Sequence, residues 1–531
     1  MGAKIETFAE NPSGHAHPAY ESSMLLPVAP EHSTGEVLLA SAYRGLICGE
    51  TDATINLEHI DGLQDRLAAA VRSIDSRADV EAFRQLWRSL LVDPGGLTSP
   101  VLRGEKRSRL RQLMPLVPEL SRVSGVLGKV RSRWQPSNLL VSTIHSGSEK
   151  DLGNQLVLRL RDALTVGPTD DYLAQFIQSC LLGVRDIAPG RERGDAPTDE
   201  QLNVMAGRYP PAWRQSPKEG YLPSERFARD LEYIIHMKSR LTRRQWSVLI
   251  ESLLRLGMGM HQMWLCRLNT HVWRLCSQVS DTGECPSLER VVEVCWSPQD
   301  IDEPLLKLSE DAKPQVDRLL HEFGLARIGM NLLLWALEDA GCGWPERSKL
   351  GGMVADEMES PAAAVHSFLK HVWEHRDKLH DVLAAHRWRS LTEAAASVAD
   401  GDQRFLSGQA TRNLQFFIRY SLLQTQTKDE TQRQYDQGYL LHQRGDRMTA
   451  QPAPSILMLL THCCCRDRGK VPASVNHLRT HLRAYGIDVS GQELRNGATS
   501  RDLERLGLVV DSPDAGGGRL LVDPFYRRDR S

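Results

Sequence analysis

The sequence predicts a mainly α, multidomain protein: a helical body followed by a smaller C-terminal domain of mixed α and β character. Three observations carry that expectation. Apolar residues recur at three- and four-residue spacing through most of the 531-residue chain. β-rich runs joined by a glycine-rich loop gather near the C-terminus. The length also allows three or four domains at roughly 150 residues each. Charged residues make up 25% and hydrophobic residues 41%, which excludes a disordered polyampholyte and a membrane-embedded chain. A formal net charge of −2 excludes a whole-molecule field for nucleic acid or anionic lipid.

Residues 1–35 combine Pro, Gly, Ser and His without periodicity, the pattern of a flexible arm. They lack a basic segment followed by an unbroken apolar run, since Pro27 interrupts Met24–Val28. With ten scattered cysteines and no export signal, the thiols read as reduced and the protein as cytoplasmic. Residues 36–186 read as an N-terminal helical domain. Leu63, Leu67, Ala70, Val71 and Ile74 share one helical face, and Phe83, Leu86, Trp87, Leu90 and Leu91 share another. Amphipathic stretches follow at Leu152–Val166 and Asp170–Leu182.

Residues 187–223 are proline-rich and read as a linker or long loop. Residues 224–424 form a central helical domain, with helices expected at Glu225–Leu241, Gln245–Val279, Val316–Gly341 and Pro361–Leu383. Ser247–Val279 is the most apolar of these, yet Glu251, Arg255, Arg267 and Arg274 keep it too short in uncharged length to cross a bilayer. Residues 425–453, dense in Gln, Asp and Arg, read as a polar connector.

Residues 454–531 have a distinct grammar. Pro454-Ser455 opens an apolar helix. A second helix carries Val475, Leu478, Leu482 and Tyr485 and stops at Gly486. A third spans about Ser490–Leu506 and ends at Gly507, placed for a left-handed C-terminal cap. The runs Leu508–Val510 and Arg519–Val522 flank an exposed loop rich in glycine. This order resembles a winged helix-turn-helix, which implies a third helix in the major groove and a hairpin on the backbone. Arg479, Arg483, Arg495, Arg501 and Arg519 are the candidate phosphate contacts, diluted by Asp502, Glu504, Asp511 and Asp514. The whole chain also resembles helical proteins of bacterial anti-phage defence systems that end in a winged helix. The residues themselves favour a scaffold subunit contacting double-stranded DNA and other proteins; the resemblance implies a partner ATPase or nuclease that supplies chemistry.

A second basic stretch spans Val101–Trp134, where Arg103, Lys106, Arg107, Arg109 and Arg111 lead a strong local excess over Glu105 and Glu119. It suits a nucleic-acid stripe, or equally a solvated face paired with acids elsewhere.

Other motifs point to chemistry more weakly. His371-Val372-Trp373-Glu374-His375 matches the inverted zinc-protease pattern, with His371 and His375 as ligands and Glu374 as base. That alternative, a metal-dependent hydrolase with zinc as the possible metal, needs a third ligand such as Glu393 or Glu430. Cys266 and Cys276 would lie about 15 Å apart along one helix, too far to share an ion. Gly125–Lys129 lacks the spacing of a phosphate loop. Asp311-Ala312-Lys313 has the form of a nuclease-site end, with Asp300 or Asp302 upstream, but proline brackets it on both sides. Met258, Met260, Met263, Trp264 and Trp273 form a stripe expected in the core. The sequence therefore favours a non-enzymatic subunit without cofactor, with a transcriptional regulator as a further alternative.

Overall fold

A computed structural model describes residues 5–12, 17, 38–49, 115–122, 136–149, 152–183, 194–207, 222–296, 304–344, 361–401, 409–423, 438–444, 446–469, 471–511 and 519–525. It is mainly helical. The N-terminal part holds α1 (Ile5–Glu10), α2 (Leu38–Leu46), α3 (Pro118–Ser121), α4 (Pro136–Gly147), α5 (Leu152–Leu164), α6 (Tyr172–Gly183) and α7 (Asp199–Gly207). The middle holds α8 (Pro223–His236), α9 (Arg243–Thr282), α10 (Leu288–Trp296), β1 (Leu306–Lys307), α11 (Ala312–Asp339), α12 (Pro361–Glu374), α13 (Arg376–Ala385), α14 (Leu391–Gly401) and α15 (Gln409–Leu422). The C-terminal part holds β2 (Leu441–Arg444), β3 (Arg447–Ala450), α16 (Pro454–Asp467), α17 (Val475–Ala484), β4 (Ile487–Asp488), α18 (Gly491–Asn496), α19 (Ala498–Arg505), β5 (Val509–Val510) and β6 (Leu520–Leu521).

The 40-residue α9 is the axis of the fold. Thr242 starts it: its hydroxyl accepts from the Gln245 amide, and the Gln245 side chain returns to the Thr242 amide. Gly283, at φ 72°, ends it. Its apolar residues cover nearly the whole circumference, so it is buried on all sides. It packs against α8, α11, α12, α15 and α16. Met258, Met260, Met263, Trp264 and Trp273 are all core residues.

Buried polar groups fix the neighbours of α9. Glu251 accepts from the amides of Leu38 and Leu39, capping α2 from outside, and pairs with Arg255 at 2.6 Å. Arg243 is buried, yet its guanidinium reaches the carbonyls of Leu116, Ala163 and Leu164, the Asp170 carboxylate and the Tyr43 hydroxyl. That set satisfies a planar five-donor group that could not otherwise enter a core.

Several elements depart from the sequence expectation. Within the expected N-terminal arm, Ile5 and Phe8 of α1 are buried, and His17 bonds to Asn331 and Glu338 of α11. The expected linker contains α7, and the polar connector contains the antiparallel pair β2–β3. The helix expected over Pro361–Leu383 breaks at His375, where φ is −112° and ψ 11°. The third C-terminal helix splits into α18 and α19 at Gly497. The two helical faces expected at residues 63–74 and 83–91 lie outside the described residues.

Candidate nucleic-acid interface

The C-terminal segment packs against the body at several points. β4 pairs in parallel with β1, Leu306 opposite Ile487 and Lys307 opposite Asp488. A buried polar cluster also joins the two. Asp230 of α8 is fully enclosed and accepts hydrogen bonds from Arg226, from His481 Nε2 at 2.9 Å and from the Tyr485 hydroxyl at 2.7 Å. Asp467 at the end of α16 takes a second pair of bonds from Arg226 and one from Tyr233. Burial alone would push the Asp230 carboxyl up. The charges on His481 and Arg226 and the bonds from His481 and Tyr485 outweigh it, and hold the group at about 2. Burial and the adjacent Asp230 push the Tyr485 hydroxyl and the Cys463 thiol well above their ordinary values. That thiol therefore stays protonated and is no nucleophile. The cluster clamps α8 to α16 and α17.

The third helix is built by a local device. The break lies at Gly497, whose backbone leaves helical geometry at φ −82°, ψ −168°, and a Cβ there would overlap the Glu493 carboxylate, so the position takes glycine. Glu493 turns back to accept from the Thr499 amide at 2.7 Å, so it caps α19 as well as belonging to α18. Gly507, at φ 69°, closes α19 as its sequence position predicts. β5 and β6 then pair antiparallel, Val509 opposite Leu521 and Val510 opposite Leu520.

At 100° per residue, α19 has three distinct sides. Thr499 and Leu503 are buried and face the segment's own core. Ser500 and Glu504 bond to Arg519 beside β6, on one flank. Asp502 accepts from the Gln451 side chain, just beyond β3, on the other flank. Arg501 lies midway between those flanks, pointing outward, and is exposed.

The predicted arginines therefore divide. Arg483 and Arg479 both turn to Asp488, at 2.9 and 3.8 Å. Arg519 pairs with Glu504 and Asp511, and the bond to Glu504, with the charges of both carboxylates, raises its basicity. Arg495 of α18 and Arg501 of α19 are exposed, and among the described residues no carboxylate pairs with either. Arg103, Lys106, Arg107, Arg109 and Arg111 lie outside the described residues; nearby Arg122 pairs with buried Glu119.

The zinc-protease pattern has a different setting. His371 Nε2 lies 2.8 Å from the Cys342 carbonyl oxygen, and His375 Nδ1 lies 2.9 Å from that of His371. The two rings are 4.4 Å apart, while Glu374 turns outward beside Lys370. Glu393 accepts from the Arg389 amide, and Glu430 lies outside the described residues. Asp311 caps α11 by accepting from the Lys313 amide; Asp300 and Asp302 lie outside the described residues. Among the described residues, no three His, Cys, Asp or Glu side chains are placed to hold a metal ion, and no helix is long and apolar enough to cross a membrane.

Sequence reasoning missed the Asp230 cluster and the β2–β3 hairpin. The first had a signal: Arg226 with Asp230, and His481 with Tyr485, are polar pairs four apart on helices whose faces are otherwise apolar. Compared with known proteins, the chain matches no family model and no curated protein.

Proposed function

We propose that this chain is a non-catalytic subunit of a multiprotein bacterial assembly, contacting double-stranded DNA through α19 and docking other proteins through its helical body. The observation that carries this reading is the outward position of Arg501, with which no carboxylate pairs among the described residues, with Arg495 on the preceding helix, bonded to the Gly491 carbonyl, likewise without a described carboxylate partner. Phosphate contacts need exposed cations that are not already neutralised. The order of α16, α17, the third helix split into α18 and α19, and the β5–β6 hairpin supports taking residues 454–531 as a winged helix-turn-helix. A role in anti-phage defence, with an ATPase or nuclease as partner, rests on the sequence resemblance.

A protein-docking role for the same segment has its own support. Arg479, Arg483 and Arg519 are neutralised, and Val471, Val510 and Val522 are exposed around the hairpin. Binding of the full-length chain to a short duplex across a salt series tests the two roles. DNA contact predicts affinity falling linearly with salt on a log–log plot. A chain with no measurable affinity at low salt leaves only protein docking.

A further inference from the structure

We propose that the β2–β3 hairpin of the body is a second DNA-contacting element, placing Arg447 on the duplex backbone on the flank of α19 opposite β5–β6. This rests on the DNA-contacting reading above and extends its surface beyond the C-terminal segment.

Placement comes first. Gln451 lies just beyond β3, and its side chain donates to Asp502 of α19 at 3.1 Å. The same end of the hairpin is tied to the body: the Ser309 amide donates to the Ala450 carbonyl, and the Ala450 amide to that of Glu310. Nearer the turn, the Met448 amide reaches the Asp311 carboxylate. The hairpin therefore has a fixed position, set by β1, the start of α11 and α19 together. Its β5–β6 counterpart is fixed on the other flank through Arg519 to Ser500 and Glu504. An outward helix carrying Arg501 thus lies between two antiparallel hairpins.

Chemistry comes second. The four-residue strands carry the turn about 13 Å from Gln451. A helix lying in the major groove leaves the two sugar-phosphate backbones on its flanks, within reach of such elements. Arg447, at the turn end of β3, is exposed, and among the described residues no carboxylate pairs with it. Its sequence neighbour Asp446 is an exposed acid, and the Asp311 carboxylate lies at the adjacent Met448 amide; both oppose a phosphate contact. A long arginine side chain can extend past both, and a single phosphate contact needs only that reach.

The experiment uses the full-length chain, a 20-base-pair duplex and fluorescence anisotropy between low and moderate salt. Arg447→Gln is expected to weaken binding about three- to tenfold and to lower the log–log salt slope by about 1. Asp446→Asn is expected to tighten binding about twofold. If Arg501→Gln weakens binding while Arg447→Gln leaves both affinity and slope at wild-type values, the hairpin contact is overturned and the α19 reading stands. If the wild-type chain shows no salt-dependent affinity, the α19 reading falls and the hairpin contact with it.

Discussion

Replacing Asp230 by Asn removes the central charge of the cluster that holds α16 and α17 to α8. The carboxylate is fully buried and receives Arg226, His481 Nε2 and the Tyr485 hydroxyl. An amide of the same shape keeps one acceptor oxygen but turns an NH2 group toward donors. Arg226 keeps Asp467, which is 30% exposed and so compensates only in part. Breaking a buried pair from one side costs about 3–5 kcal/mol. A separate estimate comes from acidity: depression from 3.8 to about 2, at about 1.4 kcal/mol per pH unit, amounts to roughly 2 kcal/mol of stability. Because the folded-state carboxyl is the stronger acid, that stability is present above pH 4 and lost as pH falls from about 4 to about 2. Hydrogen exchange of the α17 amides is the assay. Asp230→Asn should lower their protection about 100-fold or more at neutral pH, since about 1.4 kcal/mol corresponds to tenfold. It should also abolish the wild-type loss of protection between pH 4 and 2. Protection within threefold of wild type, or an unchanged acid response, refutes the cluster as the clamp.

Three further predictions follow from the same packing. At Gly329, a Cβ would fall within the Trp273 ring, so Gly329→Ala should cost about 1–3 kcal/mol despite its gain in helix propensity, read as a lower melting temperature. Glu251→Gln weakens a buried cap on α2 and breaks the buried pair with Arg255 from one side, so it should cost about 3 kcal/mol or more, with exchange rising first in residues 38–46. Burial pushes the Cys266, Cys276 and Cys295 thiols far up, so an alkylating reagent at pH 8 should leave them unmodified until denaturant is added.

Much of the helical body was legible because its signals are local. Apolar spacing places α8, α9 and α11 near their expected bounds, and Gly507 announces the end of α19. The β2–β3 hairpin was not legible: only Leu441, Met448 and Ala450 carry its buried side, too few apolar residues for an alternating pattern. The break at His375 has no breaker residue; its α12 and α13 sides are set by contacts to the end of α9, including Trp373 to the Gly283 carbonyl. The split at Gly497 did carry a sign, Asn-Gly within a helical run, but the Glu493 cap that exploits it needs three dimensions to see. At the candidate interface, composition identified five arginines and could not tell which were already paired. Pairing depends on where Asp488, Glu504 and Asp511 fold, and that left Arg495 and Arg501 as the available cations.

The central claim, that α18 and α19 contact duplex DNA through arginines that no carboxylate neutralises among the described residues, is tested most directly by the double variant Arg495→Gln/Arg501→Gln. Two lost phosphate contacts should reduce the salt slope by about 2 and weaken binding at least tenfold, with melting temperature unchanged because both side chains are exposed. Wild-type affinity and slope in that variant would contradict the account.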